Sequence, residues 1–258
     1  MTDQLAVTWW GHSSTTVELA ATRIGTDPVL VDRLVHLRRH GPTPAPRAAE
    51  VDLVLISHLH GDHLHVPSVR RTSAGAPIVV PRGAGHLLAR LDREIVEVTP
   101  GERIALAGVT IDVLAARHDD RRHSLSRRHA PALGFRVHDE NHSFWFPGDT
   151  GRDPAMADVD PVDLALVPIG GWGPTLGDAH LDPEEAAEAV ALVGARWALP
   201  VHHGTFWPIG LQRLHRRNHH RLFVTPAPRF STAVEASGQA RPLLPRPGER
   251  IVLVGGAS

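Results

Sequence analysis

Four side chains of the kinds that bind metal ions lie close together between His58 and His63. The segment follows an apolar run and reads Ser57-His58-Leu59-His60-Gly61-Asp62-His63. On an extended chain alternate residues point the same way, so the imidazoles of His58 and His60 can converge on one point. Gly61 permits a sharp turn, beyond which the next two side chains can face a second point. Zinc, iron and manganese all accept imidazole nitrogens and carboxylate oxygens as ligands.

A polar turn after a strand is the alternative interpretation, because the chain carries 19 histidines. That alternative leaves four ligand-type side chains at the end of a core strand unexplained. A site for two metal ions needs more ligands, and strand ends are where a rigid scaffold presents reactive groups. Three candidates follow other apolar runs: His118 after 111–117, Asp149 after 143–148, and His202 after 198–201.

Buried strands must position these side chains, and the spacing of apolar residues predicts where the strands run. Residues 5–19 read as two strands joined through Gly11-His12-Ser13-Ser14, and a further short pair is predicted over 23–31. The other predicted strands lie within 51–56, 78–80, 94–98, 103–114, 132–137, 143–146, 163–168, 197–201 and 250–254. Helices are predicted at 67–72, 85–91, 182–194 and 226–236, the third with Asp182 as its N-cap.

Strands outnumber helices in this pattern, and most strands come in consecutive, hairpin-like sets. Such an order favours an α+β fold, in which two sheets pack face to face with helices outside, over a uniform βαβ repeat. No linker is long enough to divide the chain, so residues 1–258 are predicted to form a single domain.

The composition excludes several classes of protein. Of the 258 residues 42% are hydrophobic and 21% charged, and the formal net charge of -1 does not indicate a nucleic-acid-binding protein. Cysteine is absent, which excludes disulfides, thiolate zinc sites and thiol nucleophiles. No signal-peptide pattern is visible, and no apolar run approaches the roughly 18 residues of a membrane span. A cytoplasmic enzyme is therefore expected.

The candidate ligands and their order resemble the metallo-β-lactamase superfamily, whose signature is His-x-His-x-Asp-His followed by a distant His, an Asp and a final His. The matching residues are His58, His60, Asp62, His63, His118, Asp149 and His202. The resemblance implies a four-layer αβ/βα sandwich, two mixed sheets with helices outside, and a dinuclear metal centre at one edge. The expected ions are two Zn²⁺, with Mn²⁺ or Fe as alternatives.

The family pattern also implies how the ligands are shared. One metal would be held by His58, His60 and His118, and the other by Asp62, His63 and His202. Asp149 would bridge both metals. The segment Thr26-Asp27-Pro28 resembles the family's first motif, in which the Asp braces the ligand loop without binding the metal.

A finer resemblance is to the branch that contains N-acyl-phosphatidylethanolamine phospholipase D and ascorbate-6-phosphate lactonase. It rests on four segments: Trp10-Gly11-His12, 147–151, 180–186 and 199–206. One departure is His203, at a position where that branch has tryptophan, so the wall of the pocket is expected to differ. This chain is also shorter than the phospholipase, whose lipid-binding additions are not carried over.

The implied activity is hydrolysis of a phosphodiester, a lactone or a related ester by a metal-bridging hydroxide, with a small-molecule or lipid-like substrate. Asp62, Asp149 and His180 are the candidate catalytic residues. The lack of cysteine and of a Gly-x-Ser-x-Gly elbow argues against a covalent nucleophile. Two alternatives stay open, a di-iron redox protein on the same fold and a nucleic-acid-processing metallo-hydrolase. The sequence does not indicate the oligomeric state.

Four more residues are candidates for substrate contact: His12, Arg121, Arg122 and His203. The two arginines belong to a basic loop, 121–129, whose guanidinium groups match phosphate oxygens, although a solvated loop is the plainer interpretation. His180 precedes a helix start that would also favour an anion, but a residue there is equally often a simple cap. His12 lies in a Gly-His-Ser-Ser turn that could be structural.

Overall fold

The computed structural model describes residues 4–19, 21–123, 126–171 and 177–254, and their strands form two large sheets and one small one. In spatial order the first sheet contains β17 (Arg250–Leu253), β1 (Leu5–Gly11), β2 (Ser14–Leu19), β3 (Thr22–Thr26), β6 (Leu53–Leu55), β7 (Ile78–Pro81) and β8 (Ile95–Val98). The second sheet contains β16 (Arg241–Pro242), β14 (Trp197–Val201), β13 (Leu164–Pro168), β12 (Ser143–Phe146), β11 (Leu133–His138), β10 (Val109–Ala115) and β9 (Arg103–Leu106). The small sheet contains β15 (Phe206–Pro208), β5 (Leu37–Arg39) and β4 (Arg33–Leu34).

Both large sheets are mixed. In the first sheet β17, β1, β2 and β3 are antiparallel neighbours, whereas β3, β6, β7 and β8 run parallel. In the second sheet β16, β14, β13 and β12 run parallel, and β12, β11, β10 and β9 are antiparallel neighbours. The carboxyl ends of β10, β12 and β14 therefore lie at one edge of the second sheet.

The two large sheets pack face to face around a common apolar core. Along β10 the side chains of Val109, Ile111 and Val113 are buried and alternate with more exposed neighbours, which is the period of two that a half-buried strand requires. They pack in one cluster with residues from both sheets, including Leu53 of β6 and Phe146 of β12. The strands predicted from apolar patterning are thus held in place by burial of their inward faces.

Helices cover the outer face of the second sheet. The longest are α2 (Pro183–Val193) and α5 (Pro226–Ser237). Val190 and Phe230 are fully or almost fully buried against outward-facing residues of the sheet such as Val167. The helix α2 has the predicted N-terminus, where Asp182 and Glu185 form a reciprocal capping box.

The outer face of the first sheet has a thinner cover. It consists of the single-turn helix α1 (Val66–Val69) and short irregular segments, which bury Ile56 and Val80. The helix predicted over 85–91 is only a 3₁₀ turn, Gly85–Leu87, and the predicted strand at 29–31 is irregular chain. The expected four layers are present, but one helical layer is reduced.

A small lobe surrounds the third sheet and was not predicted as sheet structure. Beyond β15, the helices α3 (Leu211–Leu214) and α4 (Arg216–His219) and the π-helical turn His220–Val224 follow in sequence. Two 3₁₀ turns, Pro46–Ala49 and Pro154–Asp158, and a third at Gly177–Ala179 complete the described helical segments. None of the helices among the described residues is long and apolar enough to cross a bilayer.

Candidate metal centre

The His-rich segment leaves the carboxyl end of β6 as a tight turn. The backbone amides of His63 and Leu64 both donate to the carbonyl of His60, at 3.0 and 2.8 Å. This turn faces the edge of the second sheet, because Leu133 N of β11 donates to Ser57 O at 2.8 Å. The two sheets are therefore joined by a main-chain hydrogen bond at the start of the ligand segment.

Three histidines form the first cluster: His58, His60 and His118. Nε2 of His58 lies 3.0 Å from Nδ1 of His60, and Nε2 of His118 lies 3.2 Å from the same atom. Ligand atoms bonded at about 2.0–2.1 Å to one tetrahedral ion lie about 3.3–3.4 Å from each other. The spacing of the three nitrogens fits a single divalent ion with a fourth position left for another ligand.

Two carboxylates and two histidines form the second cluster. Nε2 of His202 lies 3.2 Å from Oδ2 of Asp149, and Nε2 of His63 lies 3.4 Å from the same oxygen. Oδ2 of Asp62 is 3.9 Å from both of these nitrogens. Asp149 also groups with His118 of the first cluster, so its carboxylate lies between the two sets of ligands.

Several buried atoms of the second cluster lack a hydrogen-bond partner among the described residues. They are His63 Nε2, His202 Nε2 and Asp149 Oδ1. A buried polar atom without a partner costs free energy, and native structures rarely leave several together. Imidazole nitrogens and a carboxylate oxygen that face one space are a donor set suited to a divalent cation. The residues of this site therefore fit a metal centre.

A layer of hydrogen bonds behind the ligands orients their rings. Buried Asp27 accepts from Ser57 N at 2.8 Å and contacts His63 Nδ1 at 2.6 Å. Nδ1 of His58 lies 2.9 Å from Ser57 Oγ, and Nδ1 of His118 lies 3.0 Å from Ala179 O. Each contact occupies Nδ1 and leaves Nε2 directed toward the site, as outer-layer partners of metal ligands commonly do.

The backbone is strained at the same place. His12, Asp27 and His202 have φ values of 55°, 33° and 57°, which side chains other than glycine rarely adopt. The amide of His202 donates to the carbonyl of His12 at 3.0 Å, which joins the end of β14 to the turn between β1 and β2. Strained residues persist where the surrounding structure holds them and are common at functional sites.

The site keeps its carboxylates ionised. Burial raises the pKa of Asp149, but His202 and His63 outweigh burial and hold that pKa well below its ordinary value. The same balance, with His63 as the main partner, lowers the pKa of Asp62. Burial also lowers the pKa of His58, which favours the neutral ring that a metal ligand requires.

His180 lies beside this cluster. Its Nδ1 is 3.6 Å from Asp149 Oδ2, is buried and lacks a hydrogen-bond partner among the described residues. The cap of α2 is formed by Asp182 and not by His180, so the simple capping role is already filled. Residues 172–176, which precede this segment, lie outside the described residues.

The other candidates for substrate contact differ in position. Nε2 of His12 lies 3.3 Å from Asp62 Oδ2, whereas His203 stacks on Trp9 with ring centroids 4.9 Å apart and contributes to a pocket wall. Arg121 pairs with Asp119 at 3.0 Å. Arg122 donates to the carbonyls of Leu59 and Leu64, so it braces the back of the ligand turn.

These hydrogen bonds do not favour the substrate contacts expected of Arg121 and Arg122. Ser124 and Leu125 of the same basic loop lie outside the described residues. Sequence reasoning also missed an apolar pocket next to Asp62 and His202, whose wall contains Phe206 and Trp207. The sequence feature that could have indicated this pocket is the position of Phe206 and Trp207 shortly after His202, the last of the candidate metal ligands.

Comparisons with known proteins agree with this geometry. A family model described as a β-lactamase superfamily domain matches residues 22–203. A metal-dependent hydrolase of Nitratidesulfovibrio vulgaris is 32% identical over 212 residues, which cover 79% of this chain and 82% of the relative. An N-acyl-phosphatidylethanolamine-hydrolyzing phospholipase D of Caenorhabditis elegans is 32% identical over 237 residues, 80% of this chain and 65% of the enzyme.

The fold itself has a counterpart in a solved structure. A metallo hydrolase of the archaeon Ignicoccus hospitalis superposes with a TM-score of 0.73 at 22% identity, covering 98% of this chain and all of that one.

A Mycobacterium tuberculosis relative is 38% identical over 223 residues, and the match covers 79% of this chain but only 59% of the relative's length. The chain belongs to the metallo-β-lactamase superfamily of metal-dependent hydrolases.

Proposed function

We propose that this chain is a dinuclear metal-dependent hydrolase whose preferred substrates are anionic phosphodiesters that carry an apolar chain. The observation that carries the proposal is the apolar pocket that opens onto Asp62 and His202. The apolar residues of its wall are Leu37, Phe206, Trp207, Pro208, Leu222 and Phe223. Reactive groups at one end of an apolar pocket are the usual form of a small-molecule site.

The part of the chain around this pocket is basic. It comprises 33–49 and 204–234, which pair through the small sheet and contain no Asp or Glu; we call it the basic lobe. Its arginines are Arg33, Arg38, Arg39, Arg47, Arg213, Arg216, Arg217, Arg221 and Arg229, the last of which is paired with Glu184 of α2. Such a lobe raises the positive potential at the pocket and attracts anionic substrates.

One of these arginines is buried beneath the pocket. The guanidinium of Arg39 donates to the carbonyls of Trp10 and Val29 and lies 4.8 Å from the ring centroid of Phe206. Its side-chain hydrogen bonds go to uncharged carbonyls, and the carboxylate that acts on it is that of Asp32. Burial lowers the pKa of Arg39 to about 10, which leaves it charged at neutral pH.

The basic lobe also carries exposed apolar side chains, two of which, Ile209 and Val224, directly follow the pocket-lining residues Pro208 and Phe223 in sequence. Val35 is 91% exposed and Leu214 76% exposed, whereas Ile209 and Val224 are about half exposed. Exposed apolar side chains near a pocket can extend its binding surface. This surface suits the apolar chain of a substrate whose anionic group reaches the metal centre.

The chain's own residues would hold and orient the reactants. His58, His60 and His118 would bind one ion, Asp62, His63 and His202 the other, with Asp149 shared between them. When bound, two divalent ions lower the pKa of a water molecule toward neutrality and polarise a phosphoryl or carbonyl oxygen. The ionised carboxylates of Asp62 and Asp149 would help to orient that water, and His180, whose Nδ1 lies 3.6 Å from Asp149 Oδ2, would be close enough to the centre to contact a substrate.

One relative supports the substrate class. The Caenorhabditis elegans protein is named for hydrolysis of N-acyl-phosphatidylethanolamine, a phosphodiester with apolar chains. A lactone lacks the negative charge that the basic lobe favours, so lactones are expected to be poorer substrates.

The test compares p-nitrophenyl phosphodiesters with short and long alkyl chains, together with a simple lactone. The expected kcat/KM rises with chain length, by up to about 0.8 kcal/mol or about fourfold for each methylene that the pocket buries. Phe223→Ala should flatten this dependence, whereas Leu244→Ala, an exposed residue outside the pocket, should not. Equal kcat/KM for all chain lengths, turnover of the lactone alone, or faster cleavage of RNA would contradict the proposal.

Metal analysis and an absorption spectrum of the purified protein accompany this test. Colourless protein that contains zinc or manganese is expected of the hydrolase. Iron with visible absorption and no esterase activity would favour the di-iron redox alternative.

A further inference from the structure

His12 lies in the turn between β1 and β2, outside the seven residues of the family signature. Its Nε2 is 3.3 Å from Asp62 Oδ2, and its ring centroid is 4.4 Å from that of His202. The same Nε2 atom is buried and has no hydrogen-bond partner among the described residues. It groups with Asp62, His63 and His202 as a set of ligand-type atoms that lie within 4.8 Å of one another.

The distance of 3.3 Å between His12 Nε2 and Asp62 Oδ2 is one that two ligands of the same ion can have. Pairs around the second cluster measure 3.2 Å, for His202 with Asp149, and 3.4 Å, for His63 with Asp149. Two atoms bonded at about 2.0–2.1 Å to one ion are expected about 3 Å apart or slightly more. Nε2 of His12 therefore lies at a distance from Asp62 Oδ2 that two ligands of one ion can adopt.

The backbone of His12 is fixed by three hydrogen bonds although its φ of 55° is unfavourable. Its amide donates to Thr205 Oγ1 at 2.6 Å, and its carbonyl accepts from Trp9 Nε1 at 2.8 Å and from His202 N at 3.0 Å. A strained histidine that is held on both sides and aimed into a polar cluster indicates a function for the imidazole.

We infer that His12 is a further protein ligand of the second metal ion, beside Asp62, His63, Asp149 and His202. The inference rests on the proposed function, in that the two clusters must hold metal. It makes the two positions unequal, since the first has three histidines and Asp149, whereas the second has five protein ligands. A larger oxygen- and nitrogen-rich ligand set favours six-coordinate ions such as manganese or ferrous iron over tetrahedral zinc.

His12→Asn tests the inference, because asparagine tolerates the left-handed conformation and keeps the backbone hydrogen bonds while removing the imidazole. The measurement is binding of Mn²⁺ and Zn²⁺ to metal-free protein by calorimetry, with metal content confirmed by mass spectrometry. The expected result is unchanged affinity at one site and at least a 10-fold loss at the other, greater for Mn²⁺ than for Zn²⁺. His203→Asn changes a neighbouring half-buried histidine that stacks on Trp9 and belongs to neither ligand cluster; it is the control for metal affinity alone and should bind both ions as the wild type does.

If His12→Asn binds metal at both sites with wild-type affinity, the inference is overturned. A raised KM with full metal content would assign His12 to substrate contact instead. If His12→Asn does not fold, as judged by circular dichroism, His12→Gly repeats the test, because glycine adopts the required φ freely. A wild-type protein that binds no metal ion would contradict the proposed function itself. The two failures are therefore distinct.

Discussion

Asp27 determines the orientation of the ligand turn without being one of the seven signature residues. It is fully buried, and its two carboxylate oxygens contact Ser57 N, Ser57 Oγ and His63 Nδ1. The acceptor at Nδ1 keeps the proton of His63 there, so Nε2 is free to bind a cation. The order of the metal site therefore depends on a residue that need not touch the metal.

Asp27→Asn should weaken metal binding with little change in size or shape. The amide keeps only one acceptor oxygen, so its N–H would face either His63 Nδ1–H or the backbone N–H of Ser57, and one of the contacts that orient the ligand turn is lost. We expect affinity for the second ion to fall about 10–100-fold, as for other outer-layer partners of metal ligands. Chelator competition measures the change.

Asp52→Asn is the control for that variant. Asp52 is exposed and accepts from the amide of Arg23 at 2.8 Å, far from the ligand turn in the hydrogen-bond network. Wild-type affinity in Asp27→Asn, or equal losses in both variants, would show that Asp27 does not orient His63.

For individual residues, the residue type and its position at a predicted strand end were enough to predict the ligand candidates. His58, His118 and His202 all follow apolar runs that became strands. The contacts of Arg122 could not be predicted, because its carbonyl partners at Leu59 and Leu64 are about 60 residues away and meet it only in the folded chain.

At the scale of elements, strand ends carry the ligands and glycines permit the close approach of one element to another. Gly148 follows β12, immediately before Asp149, and has a φ of +64°. A Cβ at this position would lie 2.5 Å from Ser57 Cβ and 2.8 Å from Leu133 O. The absence of a side chain therefore lets the Asp149 loop pack directly on the ligand turn.

Gly148→Ala should destabilise the protein more than a positive φ alone explains. Gly101 provides the matched control, because it has a φ of +90° and a Cβ added there would meet no atom within 4 Å. Gly101→Ala should lose about 1–2 kcal/mol for the backbone conformation. Gly148→Ala should lose about 1–3 kcal/mol beyond that, because of overpacking.

Urea denaturation of both variants, carried out without metal, measures the two losses in free energy of unfolding. Equal losses would mean that the ligand turn moves freely to admit a methyl group. In that case the close contact between Gly148 and Ser57 would not help to position Asp149.

Apolar periodicity predicted the long strands of both sheets, because burial of one face imposes that pattern on the sequence. It failed for the small sheet, since β4 and β5 have two and three residues and are held by pairing with a distant strand. It also overestimated the helix at 85–91, where Gly85 packs against Glu97 and no capping side chain is present. Local propensity was outweighed there by tertiary contacts.

At the scale of the whole molecule, the metal centre joins the two large sheets. His58, His60, Asp62 and His63 follow β6 of the first sheet, whereas His118, Asp149 and His202 follow strands of the second. Ions bound by both sets would link the sheets across the open edge of the core. Ligands that bind only the folded state stabilise it by mass action.

Removal of metal with a chelator should therefore lower the Tm. At free metal one hundredfold above its dissociation constant, each independent site contributes about 2.7 kcal/mol of stability. Differential scanning calorimetry with and without the chelator measures the shift. His60→Asn should show a smaller shift than the wild type, and an unchanged wild-type Tm would contradict a structural link through the ions.

The net charge of the whole chain gives no indication of the basic lobe. A formal charge of -1 describes an average, whereas 33–49 and 204–234 contain no acidic residue and come together only in the fold. The segments are separated by more of the chain than either contains, so composition could not show that they share one surface. The proposed substrate class therefore rests on the three-dimensional distribution of charge and not on its sum.

Metal content per chain, measured by mass spectrometry on protein purified without added metal, decides whether the centre is dinuclear. We expect about two divalent ions per chain in the wild type, as in other two-metal hydrolases. His60→Asn and Asp62→Asn should each retain fewer ions. A wild-type protein with one ion or none, under conditions in which it remains folded and added metal does not bind, would contradict a dinuclear centre.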